Sequence, residues 1–181
     1  MNDASESDAA LMSRYARGEA AAFEILYRRH EMRVWRYLQR NVGNRATTDE
    51  LMQEVWFAVA RDAPRYQPSA RFTTWLFTIA HNRMIDCIRA GRRETSLENL
   101  QLTADANTGP FAAAVSRDQA GAVLQAVAQL PREQRDAFLL QVEGDLPVEE
   151  IAAITDSSFE TTKSRLRYAR TKLRELLKEY A

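Results

Sequence analysis

A chain of 181 residues can form one medium domain or two small ones, and 45% hydrophobic with 28% charged residues is the composition of a soluble globular protein with a real core. Six Gly, five Pro and one cysteine, Cys87, exclude collagen-like and turn-rich β architectures, a disulfide framework and a Cys-rich metal site. The formal net charge is zero, but its distribution is uneven: residues 1–93 carry fifteen Arg against eleven acids, 94–116 three acids and no base, and 163–178 seven bases against Glu175.

In chain order, Met1–Ala10 is acidic and polar, unlike a signal peptide, and no apolar run anywhere approaches the ~18 residues of a membrane span. A cytoplasmic protein without membrane insertion is expected. Phe23, Leu26, Tyr27, Val34, Tyr37 and Leu38 recur at helical spacing. Thr47-Thr48-Asp49 reads as the N-cap cluster of a second helix through Leu51, Met52, Val55, Trp56 and Val59. After a break at Pro64 and Pro68, Phe72, Trp75, Leu76, Ile79, Ile85 and Ile88 predict a third helix ending at Gly91. Residues 94–116, acidic and without an amphipathic face, read as an extended linker.

Helical spacing resumes with the stripe Val123, Leu124, Val127 and Leu130; Pro131 then starts a helix carrying Phe138, Leu139 and Val142, which Gly144 closes. Residues 146–154, with Pro147 near the first position, the polar turn Thr155-Asp156-Ser157-Ser158 and a long basic helix to about Leu177 form a helix-turn-helix pattern, with Ile151, Ile154, Leu166, Ala169 and Leu173 as its shared core. The expected class is all-α: two small helical domains, 1–93 and 117–181, joined by the linker 94–116.

Three segments carry candidate binding chemistry. Lys163, Arg167 and Arg170 share a side of the basic helix, and with Thr161 and Ser164 near its start they suit duplex DNA, whose base edges are read from the start of such a helix. The aromatic run 71–83 offers Arg71, Phe72, Trp75 and Asn82 for stacking and base-edge contact, with Arg83 and Arg89 as a cationic track; the same aromatics could instead form core. Asp49, Glu50, Gln53, Glu54 and Trp56 make either a protein-docking face with Trp as anchor or an ordinary amphipathic helix. Phosphate loops, nucleophile elbows and metal-ligand spacings are absent, so no enzyme, no metal and no cofactor are expected.

Five motifs in this order resemble the extracytoplasmic-function sigma factors, the two-domain branch of the sigma-70 family. They are Gly18-Glu19 with Ala22-Phe23; Asp49 to Trp56; Phe72 to Leu76 with Ile79-Ala80-His81-Asn82; Leu130-Pro131 with Gln134-Arg135; and Glu149 to Ala152 with Ser164-Arg165-Leu166 and Ala169-Arg170. The resemblance implies that region 2 (1–93) binds the clamp of bacterial RNA polymerase through Asp49–Trp56 and melts the promoter −10 element, with Asn82 lining a pocket for a flipped base beside Phe72 and Trp75. It implies that region 4 (117–181) reads the −35 duplex through Lys163, Ser164 and Arg167, with Arg165 and Arg170 serving phosphates or internal pairing, and that the acidic linker threads the polymerase RNA channel. Thr47 and Thr48 stand where the family often has carboxylates, so they are either helix caps or sites where a Ser/Thr kinase restores the missing charge. Control by an anti-sigma factor is the other expected regulation. A dimeric DNA-binding regulator and a helical protein adaptor are the alternative classes.

Overall fold

The computed structural model describes residues 6–67, 71–98 and 119–178, all helix and connecting turns with no strand among them. The N-terminal half contains α1 (Asp8–Ala16), α2 (Ala20–Val42), α3 (Arg45–Asp62), a 3₁₀ turn (Ala63–Arg65) and α4 (Phe72–Glu98). The C-terminal half contains α5 (Gln119–Ala128), α6 (Arg132–Gly144), α7 (Val148–Ile154) and α8 (Phe159–Leu176). Local chemistry sets the boundaries. Gly43 adopts the left-handed conformation that ends α2, and the Asn44 side chain then accepts the Thr47 amide to start α3.

Two of the predicted boundaries move. Asn44, rather than Thr47 or Thr48, caps α3, because its carboxamide oxygen reaches the free amide of the first turn. Gly91 does not end α4: its φ is not positive, and the helix continues to Glu98, taking in the first five residues of the expected linker. One internal glycine costs a helix only ~1 kcal/mol relative to alanine, too little to stop it alone. The rest of that linker expectation, residues 99–116, lies outside the described residues.

α2 is the central element. It packs against α1, α3 and α4 on its own side and against α5 and α6 of the other half. The core of the N-terminal half includes Leu11, Leu26, Tyr37, Leu38, Leu51, Val55, Leu76 and Phe77; that of the C-terminal half is aliphatic, from Val127, Leu130, Leu139, Leu140, Ile151, Leu166 and Leu173. The two sets form one continuous cluster. The expected stripe on α5 is only partly inward: Val127 and Leu130 are buried, whereas Val123 and Leu124 are exposed, as is Val142 on α6. The short α5 contacts α2 and α8.

The junction between the halves is polar at its centre. The buried Tyr37 hydroxyl donates to Asp136 Oδ1 at 2.7 Å, and His81 Nδ1 lies 3.1 Å from the Tyr37 oxygen and 3.2 Å from Asp136 Oδ2. With the phenolic proton directed at Asp136, both neighbours of Nδ1 are acceptors, so Nδ1 carries the proton. Burial, and then the Asp136 carboxylate, push the Tyr37 phenol well above its ordinary range, keeping it a neutral donor. Beside this trio, the buried Glu143 carboxylate receives Arg36 at 2.9 Å and Arg40 at 2.6 Å, and its backbone carbonyl receives Arg33.

Candidate partner and nucleic-acid surfaces

The outer face of α3 is built by its register. Leu51, Met52, Val55 and Trp56 turn inward, so Asp49, Glu50, Gln53 and Glu54 face solvent. Trp56 is therefore not the exposed anchor that the sequence allowed: it is 5% exposed and packs against Phe23 and Tyr27. The next residue, Phe57, takes that outward position and is 69% exposed. It lies one turn beyond Gln53 and two beyond Asp49, a spacing present in the sequence but hidden by the larger neighbouring Trp. Asp49 is partly committed, accepting from Trp35 Nε1 at 3.1 Å and pairing loosely with Arg45.

Thr48 is fully buried, with its hydroxyl donating to the Asn44 carbonyl, so the modification expected there has no accessible oxygen. Thr47 is half-buried and its hydroxyl donates to Asn44 Oδ1. Position in the turn decides this difference: Thr48 faces the core while Thr47 lies at the rim.

On α4, the aromatic run resolves largely into core. Phe72 is buried between His30, Tyr66 and Trp75, and Phe77 is buried against Tyr37, so neither can stack on a base. Trp75 is half-buried on Tyr66 and keeps part of its surface free. Asn82 and Arg89 are exposed, and Arg83 is half-buried. Arg83 contributes, after the Arg61 hydrogen bond, to holding the Asp62 carboxyl below its ordinary range. Arg71 is exposed and reaches across to the Asp145 carbonyl at 3.2 Å.

α7 and α8 form the helix-turn-helix. Asp156 adopts the left-handed conformation (φ 47°) that the missing turn glycine would have supplied, a conformation Asp tolerates better than most residues. Ser158 caps α8 by accepting the Thr161 amide, and Ser157 bonds the buried Thr162 hydroxyl. Leu166, Ala169 and Leu173 turn inward, leaving Thr161, Lys163, Arg167 and Arg170 exposed and Ser164 half-buried beside them. Arg165 pairs with Glu133 at 2.6 Å and Arg170 donates to Gln141, whereas Arg167 lies over its neighbour Tyr168 and stays on the surface. Among the described residues no cluster of His, Cys, Asp and Glu could hold a metal ion, and no helix is long and apolar enough to cross a membrane.

Residues 26–94 match the family model of sigma-70 region 2, and residues 120–173 that of sigma-70 region 4. The RNA polymerase sigma factor CarQ of Myxococcus xanthus is 34% identical over 171 residues, covering 93% of this chain and 96% of that protein. The ECF RNA polymerase sigma factor RpoE of Cereibacter sphaeroides is 32% identical over 158 residues, 87% of each chain. Two solved structures share the fold at 22% identity. CnrH, in complex with the cytosolic domain of CnrY, gives a TM-score of 0.68 over 97% of this chain and all of that one. RpoE from Bartonella quintana, in complex with the anti-sigma factor NepR, gives 0.71 over 86% and 96%.

Proposed function

The chain belongs to the extracytoplasmic-function sigma factors of the sigma-70 family, DNA-binding initiation factors of RNA polymerase rather than enzymes, and from that premise we propose how its two halves divide the work. Region 2, about residues 1–93, docks on the polymerase clamp and reads and melts the −10 element. Region 4, about 117–181, reads the −35 duplex, and 94–116 connects them. The observation that carries this reading is the helix-turn-helix, whose second helix presents Thr161, Lys163, Arg167 and Arg170 outward while its inner stripe is fully used in packing.

On region 2, Asp49, Glu50, Gln53 and Glu54 form the polymerase-facing rim, with exposed Phe57 as its apolar centre in place of buried Trp56. Rim charges chiefly tune association, and a desolvated aromatic contributes more of the energy. Asn82 accepts or donates at the edge of an unpaired −10 base, Trp75 offers the remaining stacking surface, and Arg71, Arg83 and Arg89 lie along the strand; buried Phe72 supports Trp75 from beneath. Regulation by an anti-sigma partner is the expectation from the structural relative solved in complex with an anti-sigma factor. Regulation by a Ser/Thr kinase rests on Thr47 alone, and equal polymerase affinity of phosphorylated and unmodified protein would end it.

Promoter-specific transcription with purified core polymerase, with and without this protein, tests the assignment. N82A should reduce opening of the −10 region on a permanganate footprint while leaving −35 duplex binding intact. K163A or R167A should do the reverse, and identical footprints for N82A and wild type would remove Asn82 from the strand site.

A further inference from the structure

The hydroxyls at the start of α8 are turned to one another and to their own backbone. Ser158 accepts the Thr161 amide and donates its hydroxyl to Thr161 Oγ1. Ser157 is bonded to the buried Thr162 hydroxyl, which donates to the Ser158 carbonyl. These groups start the helix and are committed there. What projects from the same turn is a large apolar ring: Phe159, the first residue of α8, is 41% exposed.

The cations that follow divide in two. Of the four between Lys163 and Arg170, Arg165 is paired with Glu133 and Arg170 donates to Gln141. The other two lie over exposed aromatic rings. Lys163 Nζ stands 5.9 Å from the centre of the Phe159 ring, one turn before it. The Arg167 guanidinium stands 5.0 Å from the centre of the Tyr168 ring and donates to its hydroxyl at 3.3 Å. A ring face attracts a cation without neutralising it, so each keeps its charge and N–H donors for another acceptor. Ordering a long cation costs rotamer entropy, and one already held over a ring has lost part of it before DNA arrives.

We propose that Phe159 and Tyr168 are specificity-determining residues of the duplex site: their rings set the directions from which Lys163 and Arg167 reach guanine, and the exposed edge of Phe159 takes the 5-methyl group of a neighbouring thymine. In the major groove guanine offers O6 and N7 to Lys and Arg, and the thymine methyl is contacted by apolar groups such as a phenyl ring. The inference rests on the assignment of α8 to the −35 duplex. It gives that site two guanine preferences, each set by a cation and its ring, and one thymine preference at the end read by the start of α8.

The test assembles wild type, F159A, F159L, Y168L, Y168F, K163A and R167A, each as the full chain, with core polymerase. Each holoenzyme is selected on promoter duplexes randomised over the −35 segment, and the bound and unbound pools are sequenced; circular dichroism melts check folding. F159L keeps an apolar group but no ring, so it should lose the guanine preference that K163A loses while retaining the thymine preference. F159A should lose both. Y168L should lose the guanine preference that R167A loses, and Y168F, which keeps the ring, should restore most of it. Each ring-dependent guanine preference should fall by about two- to fivefold, the factor that an exposed cation–π contact supplies. Replacing the selected thymine by deoxyuridine, which lacks only the methyl group, should weaken wild type by about fourfold and F159A not at all. A merely structural role would lower affinity for all sequences alike and leave every preference in place. Unchanged preferences in F159A and Y168L, beside flattened ones in K163A and R167A, would overturn the proposal and leave the duplex assignment standing. Unchanged preferences in K163A and R167A as well would reject that assignment and the proposal with it.

Discussion

The two halves reach stability by different means. Region 2 uses long helices of 23, 18 and 27 residues and encloses aromatic clusters, Trp56 with Phe23 and Tyr27, and Phe72 with Tyr66 and Trp75. Region 4 is assembled from helices of 10, 13, 7 and 18 residues over an aliphatic core, and the flank of α6 leans on α2. Isolated helices shorter than ~12–15 residues are marginal in water, so most of region 4 depends on tertiary packing. The consequence is a robust platform carrying a reader whose polar flank is stabilised by the platform itself.

The sharpest way to break this comparison is at neighbouring positions on α3. W56A should cost about 3–5 kcal/mol in region 2 stability, the usual range for emptying a buried aromatic site. F57A should change stability by no more than ~0.5 kcal/mol, as an exposed site does. It should nevertheless weaken core-polymerase binding by about tenfold, or ~1.4 kcal/mol. Urea melts and a polymerase pull-down titration separate the two, and a stability loss in F57A matching W56A would contradict the register of α3. Reversing Asp49, Glu50 and Glu54 to Lys should weaken the same binding with a salt dependence that F57A lacks.

In region 4, L166A should cost about 2–5 kcal/mol. It should abolish −35 duplex binding while near-ultraviolet signals from the region 2 aromatics persist, giving two separate unfolding transitions. A single transition at the lowered midpoint would show instead that region 2 cannot stand without region 4.

A smaller effect concerns the anchoring of α1. Burial opposes ionisation of Asp8, but hydrogen bonds and charge from His30 and Arg29 outweigh it and hold the carboxyl below its ordinary value. A depressed folded-state value means that the stabilisation is complete above the unfolded carboxylate range, ~3.9, and disappears as pH falls through the lowered folded value. Acid melts monitored by Tyr15 and Trp56 fluorescence should therefore show part of the loss below about pH 4. D8N should be less stable at neutral pH and flatter across that window.

The smallest effects belong to the caps. N44A and S158A should each lose about 1 kcal/mol. S158A should also lower −35 affinity, because Ser158 starts the DNA-facing helix, whereas N44A should leave duplex binding unchanged. Thermal melts and duplex titrations report both.

Much was legible in the sequence because helical periodicity is local. Leu166, Ala169 and Leu173 announced the inner face of α8, and their spacing placed Lys163, Arg167 and Arg170 outside without any tertiary information. Phosphate contact or internal pairing was expected of Arg165 and Arg170, but not the partners Glu133 and Gln141, which lie 32 and 29 residues away. Aromatic positions were harder. Phe72 and Trp56 could be core or contact by composition, and only the neighbours that surround them, His30, Tyr66, Phe23 and Tyr27, decided for burial.

The sequence by itself determined the all-helical class, the division into two parts, the helix-turn-helix and the family. Each depends on short-range spacing or ordered motifs. Only the tertiary structure decided that Thr48 is sealed, that Phe57 replaces Trp56 on the outer face, and that His81 and Tyr37 meet Asp136. It also brought Glu149, Glu150 and Asp156 into one cleft with Asn82. Those contacts join residues separated by up to 99 positions in the chain. Burying a hydroxyl or a carboxylate is tolerable only where a partner meets it, and such partners are set by packing in space rather than by any period along the sequence.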